Sequence, residues 1–195
     1  YKEISQLLPK EIKKVSPINL KIKSPKETGK SFLANSKLKA NYFFRKSNSA
    51  DPIQDTLKQV PIFRNLTSKE LNQIIRLTHL RDYKLNEPVF KKLSPGEGMY
   101  IILEGTIEIF EPDSGITFAK LSSGDFFGEL ALLDEEPRSA TAKAIESSNL
   151  IGFFRTDLLV LIKRYPDLGN KILLNLSRVL GERLRQTNLE LTTSK

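Results

Sequence analysis

The spacing of hydrophobic positions changes several times along this chain, and the changes mark its parts. From Tyr1 to Ala50 no period is sustained. Leu8-Pro9, Ser16-Pro17 and Ser24-Pro25 break it, and only Ile18, Leu20 and Ile22 alternate with Asn19, Lys21 and Lys23, as a short edge strand with outward lysines would. From Asp51 the spacing turns helical. Asp51-Pro52 followed by Thr56–Val60 predicts a short helix. After Pro61-Ile62-Phe63, Thr67 or Ser68 caps a second, with Glu70 in its first turn and Leu71, Ile74, Ile75 and Thr78 on one face. From Leu80 to Phe154 the pattern becomes short apolar runs between turn residues: Val89-Phe90, Tyr100–Leu103, Thr106–Phe110, Ile116–Leu121, Ser139–Ala144 and Leu150–Phe154. Pro95-Gly96-Glu97-Gly98 reads as a tight turn and Glu104-Gly105 as hairpin punctuation. Helical spacing then returns. Thr156-Asp157 caps a helix carrying Leu158 to Ile162, which halts at Tyr165-Pro166. Asp167 begins a longer one, to about Leu189, with Ile172, Leu173, Leu176, Val179, Leu180 and Leu184 at three-to-four spacing. The predicted class is α+β: a jelly-roll-like β-roll flanked by N-terminal and C-terminal helices, with a basic N-terminal extension.

Charge divides the chain at the same point. Residues 1–50 hold 12 Lys and Arg against 3 Asp and Glu, whereas residues 51–195 hold 19 against 20. The expected organisation is therefore a basic extension over 1–50 and a near-neutral domain over 51–195. The extension ends in an aromatic cluster, Tyr42, Phe43 and Phe44, followed by Arg45 and Lys46. Its composition suits a segment that folds on contact. Packing on the domain's own surface, a protein partner, nucleic acid and a membrane surface all remain open for it, the last least favoured because no clean amphipathic face is visible. The chain has no cysteine, so disulfides and thiolate metal sites are excluded. With one histidine, His79 at the end of the second helix, neither a metal site nor a catalytic base is expected, and a capping or surface role suits it better. No apolar run reaches the length of a membrane span and no hydrophobic signal core opens the chain, so cytoplasmic placement is the expectation. No nucleophile–base arrangement stands out, and the chain is expected not to be an enzyme.

The stretch with chemistry in it is Gly124 to Ala144. Phe126, Phe127 and Gly128 close an apolar run, and Glu129 opens Glu-Leu-Ala-Leu-Leu, a set of good helix formers. A short helix starting at Gly128–Glu129 would offer unpaired N–H groups to an anion. Past an acidic turn of Asp134, Glu135 and Glu136, closed by Pro137, stands Arg138, and then Ser139, Thr141 and Lys143 alternate with Ala140, Ala142 and Ala144. A carboxylate accepts from a sugar hydroxyl and repels phosphate, while a guanidinium and backbone N–H groups grip phosphate. On this chemistry alone, a ligand with both hydroxyls and a phosphate and a structural Glu–Arg pair are equally supported.

FGELALL followed by PRSATAKA closely resembles the phosphate-binding cassette of the cyclic-nucleotide-binding domain family, found in bacterial cAMP receptors, protein kinase regulatory subunits and nucleotide-gated channels. VPIFRNLTSKELNQI is similar to the helical bundle preceding that family's β-roll, SPGEGMYIILEGTIEIF to its first hairpin, and FRTDLLVLIKRYPDLGNKILLNLSRVLGERLRQTN to its paired terminal helices. The likeness covers about residues 52–190. It implies that Glu129 binds the ribose 2′-hydroxyl and Arg138 an exocyclic phosphate oxygen. Gly128 and Ala131 would offer backbone contacts, and Ser139 and Ala140 would line the phosphate and base side, with Phe127, Leu130 and Thr141 completing the set. In the family the last helix either lids the base or pairs with a second subunit. Arg183, Leu184, Arg185, Thr187 and Asn188 are thus candidates to cap the base, and a homodimer is permitted, although the heptad of Leu173, Leu176 and Leu180 fades into Arg183, Thr187 and Glu190.

The implied function is a receptor or regulatory module for a cyclic nucleotide. cAMP is favoured over cGMP because the residue after the arginine is Ser139, where a threonine tends to accompany cGMP. No other cofactor or metal is expected. No helix-turn-helix pattern follows the last predicted helix, so no DNA-reading element is expected here. The alternative is a ligand-free structural module of the same fold, docking on a protein assembly through its basic extension.

Overall fold

The structure, a computed structural model, describes residues 52–193. The basic extension over 1–50, with the strand and aromatic cluster expected there, lies outside the described residues. Helix α1 (Pro52–Gln59), a 3-10 turn (Pro61–Phe63) and α2 (Ser68–Leu77) come first. The strands follow as β1 (His79–Tyr83), β2 (Pro88–Phe90), β3 (Gly98–Glu104), β4 (Ile107–Phe110), β5 (Thr117–Leu121), β6 (Phe126–Phe127), β7 (Thr141–Ala144) and β8 (Ser148–Phe154). Helices α3 (Arg155–Arg164) and α4 (Pro166–Thr193) end the fold.

Helix α1 begins four residues before Thr56, because a proline in the first turn lacks only an N–H that would have no partner there, and it buries Ile53 and Leu57. Helix α2 carries the expected capping box: Glu70 N–H donates to Thr67 Oγ1 at 3.3 Å, and the Glu70 carboxylate accepts from Thr67 N–H at 2.8 Å. Lys171 on α4 also donates to Glu70, at 2.6 Å, and with the Thr67 N–H it holds that carboxyl below its ordinary 4.5. The resulting stabilisation is complete above pH 4.5 and is lost as pH falls through the lowered value. His79 does not cap α2. Thr78 does, its N–H donating to Ile74 O at 3.1 Å and its hydroxyl to Ile75 O at 2.9 Å. His79 instead opens β1, with Nε2 3.5 Å from Asp157.

The strands form two four-stranded antiparallel sheets, ordered β1-β8-β3-β6 and β2-β7-β4-β5. Strand alternation divides the first sheet's side chains between two cores. Met99, Ile101 and Leu103 of β3, Ile151 and Phe153 of β8 and Phe126 of β6 pack against the helices. Ile102, Leu150 and Phe127 face the second sheet, with Ile107, Ala142 and Ala144. Because both faces of β3 and β8 are covered, these strands read as continuous apolar runs. Strand β1, HLRDY, has no such run: only Leu80 and Tyr83 are buried, so its polar sequence gave no strand signal.

Helix α3 begins at Arg155, not after Thr156-Asp157; Asp157 reaches back to accept from Phe154 N–H at 2.9 Å. Helix α4 packs along the helical core through Leu168, Ile172, Leu176 and Val179. Its Leu173 and Leu180 pack, partly buried, against the same core. Asn175 fastens α4 further: its buried amide donates to Ile62 O at 3.1 Å and Arg64 O at 2.9 Å, filling carbonyls beside the 3-10 turn.

Candidate functional site

Gly128 is the pivot of the site. It follows β6 in the left-handed region, φ 77° and ψ 19°, and leads into a single 3-10 turn over Glu129–Leu132. The expected helix is therefore only one turn long, and it ends before the Asp134–Pro137 loop; such a turn contributes backbone N–H groups but no appreciable dipole. Glycine is required here twice over. The φ disfavours any side chain, and a Cβ would stand 2.7 Å from Arg138 Nη1.

Arg138 lies under that turn with 7% of its surface exposed. Its Nη1 donates to Gly128 O at 3.2 Å and its Nη2 to Gly98 O at 2.7 Å. Its Cζ sits 4.1 Å above the centroid of Phe90. Nε is buried and makes no hydrogen bond, and among the described residues no carboxylate forms an ion pair with this guanidinium. Burial pushes its pKa down, opposed by Tyr100, Glu97 and Glu129 nearby. Arginine nonetheless stays charged at any ordinary pH, so among the described residues this cation has no ion-pair partner.

The backbone at Arg138 is fixed by a short bridge: Arg138 N–H donates to Ser94 O at 2.9 Å, and Leu93 N–H to Arg138 O at 2.8 Å. Leu93 makes that bridge with φ 65°, although its side chain is 74% exposed and gains little from burial. Leu93→Gly is expected to relieve a left-handed penalty of about 1–2 kcal/mol, against roughly 0.5–1 kcal/mol of added chain entropy. A net stabilisation of about 0.5–1 kcal/mol should appear in urea unfolding.

Glu129 is also buried. Its Oε1 accepts from Arg183 Nη1 of α4 at 2.5 Å, while Arg183 Nη2 donates to Phe126 O at 3.3 Å and its Cζ lies 4.9 Å over the Phe126 ring. Between Glu129, Arg138 and the second sheet opens a cavity of about 540 Å³, within the ordinary size range of small-molecule sites. Ile109, Ala119 and Leu121 form its apolar wall, Gly128–Ala131 and Arg138–Ala140 the polar side, and Asp134 and Glu136 part of the rim. Arg155 holds that rim, donating through Nη1 to Asp134 O and lying 3.2 Å from Glu135.

Eight of the nine residues expected in the binding set line this cavity: Phe127, Gly128, Glu129, Leu130, Ala131, Arg138, Ser139 and Ala140. Thr141 does not; it is buried, and its hydroxyl accepts from Lys92 N–H at 3.0 Å. Of the five base-cap candidates Arg183 lines the cavity, whereas Leu184, Arg185, Thr187 and Asn188 are exposed on α4 away from it. Ile109 packs against the second core and also forms part of the cavity wall. Phe90, Ala119, Leu121 and Phe126 were not among the expected contacts. Ala119 and Leu121 share one face of β5, opposite Ile109 and Ile107 across the β4–β5 ladder, and that period of two was the available signal.

Fold and site together define a β-roll that presents a buried arginine and a buried carboxylate to one cavity. Residues 80–165 match the family model "Cyclic nucleotide-binding domain", and this segment belongs to that family. The "Cyclic AMP receptor protein" of Thermus thermophilus is 36% identical over 138 residues, which cover 69% of this chain and 62% of that protein. A "cAMP-dependent protein kinase regulatory subunit" of Debaryomyces hansenii is 33% identical over 94 residues, 48% of this chain and 21% of the relative. The solved structure of Thermus thermophilus catabolite activator protein superposes with a TM-score of 0.61 at 35% identity, covering 68% of this chain and 62% of that one. The chain thus spans about three-fifths of the bacterial relative and a smaller part of the kinase subunit. The domain is a cyclic-nucleotide-binding regulatory domain. Among the described residues no helix is long and apolar enough to cross a membrane.

Proposed function

We propose that this domain is a receptor for a cyclic nucleotide, cAMP in preference to cGMP, acting as a cytoplasmic switch. One observation carries the proposal: a buried arginine that has no carboxylate partner among the described residues, at the wall of a ligand-sized cavity. A cyclic phosphate would supply the missing counter-charge, with Arg138 and the N–H groups of the Gly128 turn as its donors. Glu129 would accept from the ribose 2′-hydroxyl, and Arg183 would meet the base side. The acidic rim, Asp134 and Glu136, favours a ligand with one negative charge, such as a cyclic phosphodiester, over a nucleoside triphosphate. Preference for cAMP rests on Ser139 after the arginine and on the names of the two relatives.

Helix α4 is the element positioned to report occupancy. It is bound to Glu129 through Arg183 and to the 3-10 turn through Asn175, so a ligand that changes the first contact biases a helix fastened to the N-terminal bundle. The test is calorimetric titration of nucleotide-free protein with cAMP and cGMP, with the Glu129→Ala/Arg138→Ala double variant as control. Micromolar or tighter binding that the variant loses supports the receptor. Absence of binding to both nucleotides overturns it and favours a ligand-free docking module.

A further inference from the structure

Arg138 is held on three sides, and only two of them are polar. The carbonyls of Gly128 and Gly98 take its two Nη groups, and the Phe90 ring lies against the face of the guanidinium, 4.1 Å from Cζ to centroid. Phe90 is itself fixed. It pairs with Ala142 across the β2–β7 ladder, and its ring packs at 6.0 Å from Tyr100 and 5.8 Å from Phe127, which stack on each other at 5.6 Å. An aromatic face attracts a cation through its quadrupole and carries no net charge. A carboxylate in this place would hold the arginine as firmly, yet it would neutralise the guanidinium and repel a phosphate. The ring orients the cation and leaves its charge for the ligand.

We infer that Phe90 is a positioning residue for anion recognition: it fixes the Arg138 guanidinium as a shelf beneath it. This inference rests on the reading of Arg138 as the phosphate-holding group. Its effect on affinity passes through Arg138, so it falls on ligands that carry a phosphate and spares those that do not.

Two measurements test it. In the unsubstituted protein the Arg138 Nε–Hε signal, assigned by its loss in Arg138→Lys, should be displaced upfield by the Phe90 ring current; Phe90→Tyr should keep the displacement and Phe90→Leu abolish it. In titrations, Phe90→Leu should weaken cAMP binding about ten-fold and Phe90→Tyr by less than about two-fold. Adenosine, which lacks the phosphate, should change by less than about two-fold in both variants. An undisplaced Arg138 signal in the unsubstituted protein overturns the inference, and that measurement needs no variant of Phe90 to fold. Equal weakening of cAMP and adenosine also overturns it, making Phe90 a cavity wall. Unchanged cAMP binding in Phe90→Leu removes the role of Phe90 alone, whereas failure of cAMP to bind the unsubstituted protein removes the receptor reading and this inference with it.

Discussion

Arg138→Ala is expected to weaken cAMP binding by about 3 kcal/mol, roughly 150-fold. The estimate follows from where the guanidinium stands. It has already lost most of its hydration, and no carboxylate among the described residues repays that loss, so the interaction with a phosphate is made in a desolvated setting. Removing it leaves the ligand's charge facing backbone N–H groups, the Ser139 hydroxyl and an Arg183 already engaged by Glu129, with Asp134 and Glu136 on the rim. Thermal or denaturant unfolding with nucleotide gives an independent check. Ligand at a hundred times its dissociation constant stabilises the native state by about 2.7 kcal/mol, and the same concentration should stabilise a 150-fold weaker variant by only about 0.3 kcal/mol. Arg138→Lys should fall between the two. It keeps the charge but lacks the planar fork that spans Gly128 O and Gly98 O. Binding by Arg138→Ala at unsubstituted strength would refute the assignment of the phosphate to this residue.

Much of this arrangement was legible because its causes are local. The Thr67–Glu70 capping box needs two residues three apart, and both were readable in the sequence. The cassette was legible for a similar reason: Gly128, Glu129 and Arg138 lie within eleven residues, and glycine marks the left-handed turn that brings the arginine under it. What the sequence concealed was either polar or long-range. Strand β1 carries two buried side chains in five residues, too few for a period. The Glu129–Leu132 turn looked like a helix because its residues are good helix formers, but the Asp134–Pro137 loop follows too soon for a full α-turn to repeat. Phe90 appeared only as half of a two-residue apolar run, since its partners Arg138, Tyr100 and Phe127 are brought to it by three other segments. Arg183 was one of five candidates on α4. Helical spacing alone could not select it, because the choice depends on how α4 rolls against the core, which Ile172, Asn175, Leu176 and Val179 determine together.

Glu129→Ala is expected to cost about 1.5–3 kcal/mol of cAMP affinity, roughly 10- to 150-fold, as loss of a hydrogen bond to a charged acceptor would. In the structure one carboxylate oxygen, Oε1, accepts from Arg183 at 2.5 Å, and the carboxylate has a second oxygen to offer a ribose hydroxyl. Arg183 then orients the acceptor and need not be expelled from it. The proposal is open to a cycle in which the ligand supplies one of the two changes. Against the unsubstituted protein, 2′-deoxy-cAMP should bind weaker than cAMP by about the cost of Glu129→Ala; against Glu129→Ala the two nucleotides should bind alike. Additive losses would mean that the hydroxyl and the carboxylate do not meet. The same variant also bears on α4. Without Glu129, Arg183 keeps, among the described residues, its bond to Phe126 O and its contact with the Phe126 ring, and the helix beyond Val179 exposes Leu184, Leu189 and Leu191, with little burial to hold it down. Amide exchange should therefore quicken over residues 181–193 and remain unchanged around Ile172 and Leu176, where the helical core and Asn175 fix the helix. Uniform exchange along α4 in both proteins would show that the Glu129–Arg183 contact does not hold the helix, and the site would then bind its ligand without a lever to report it.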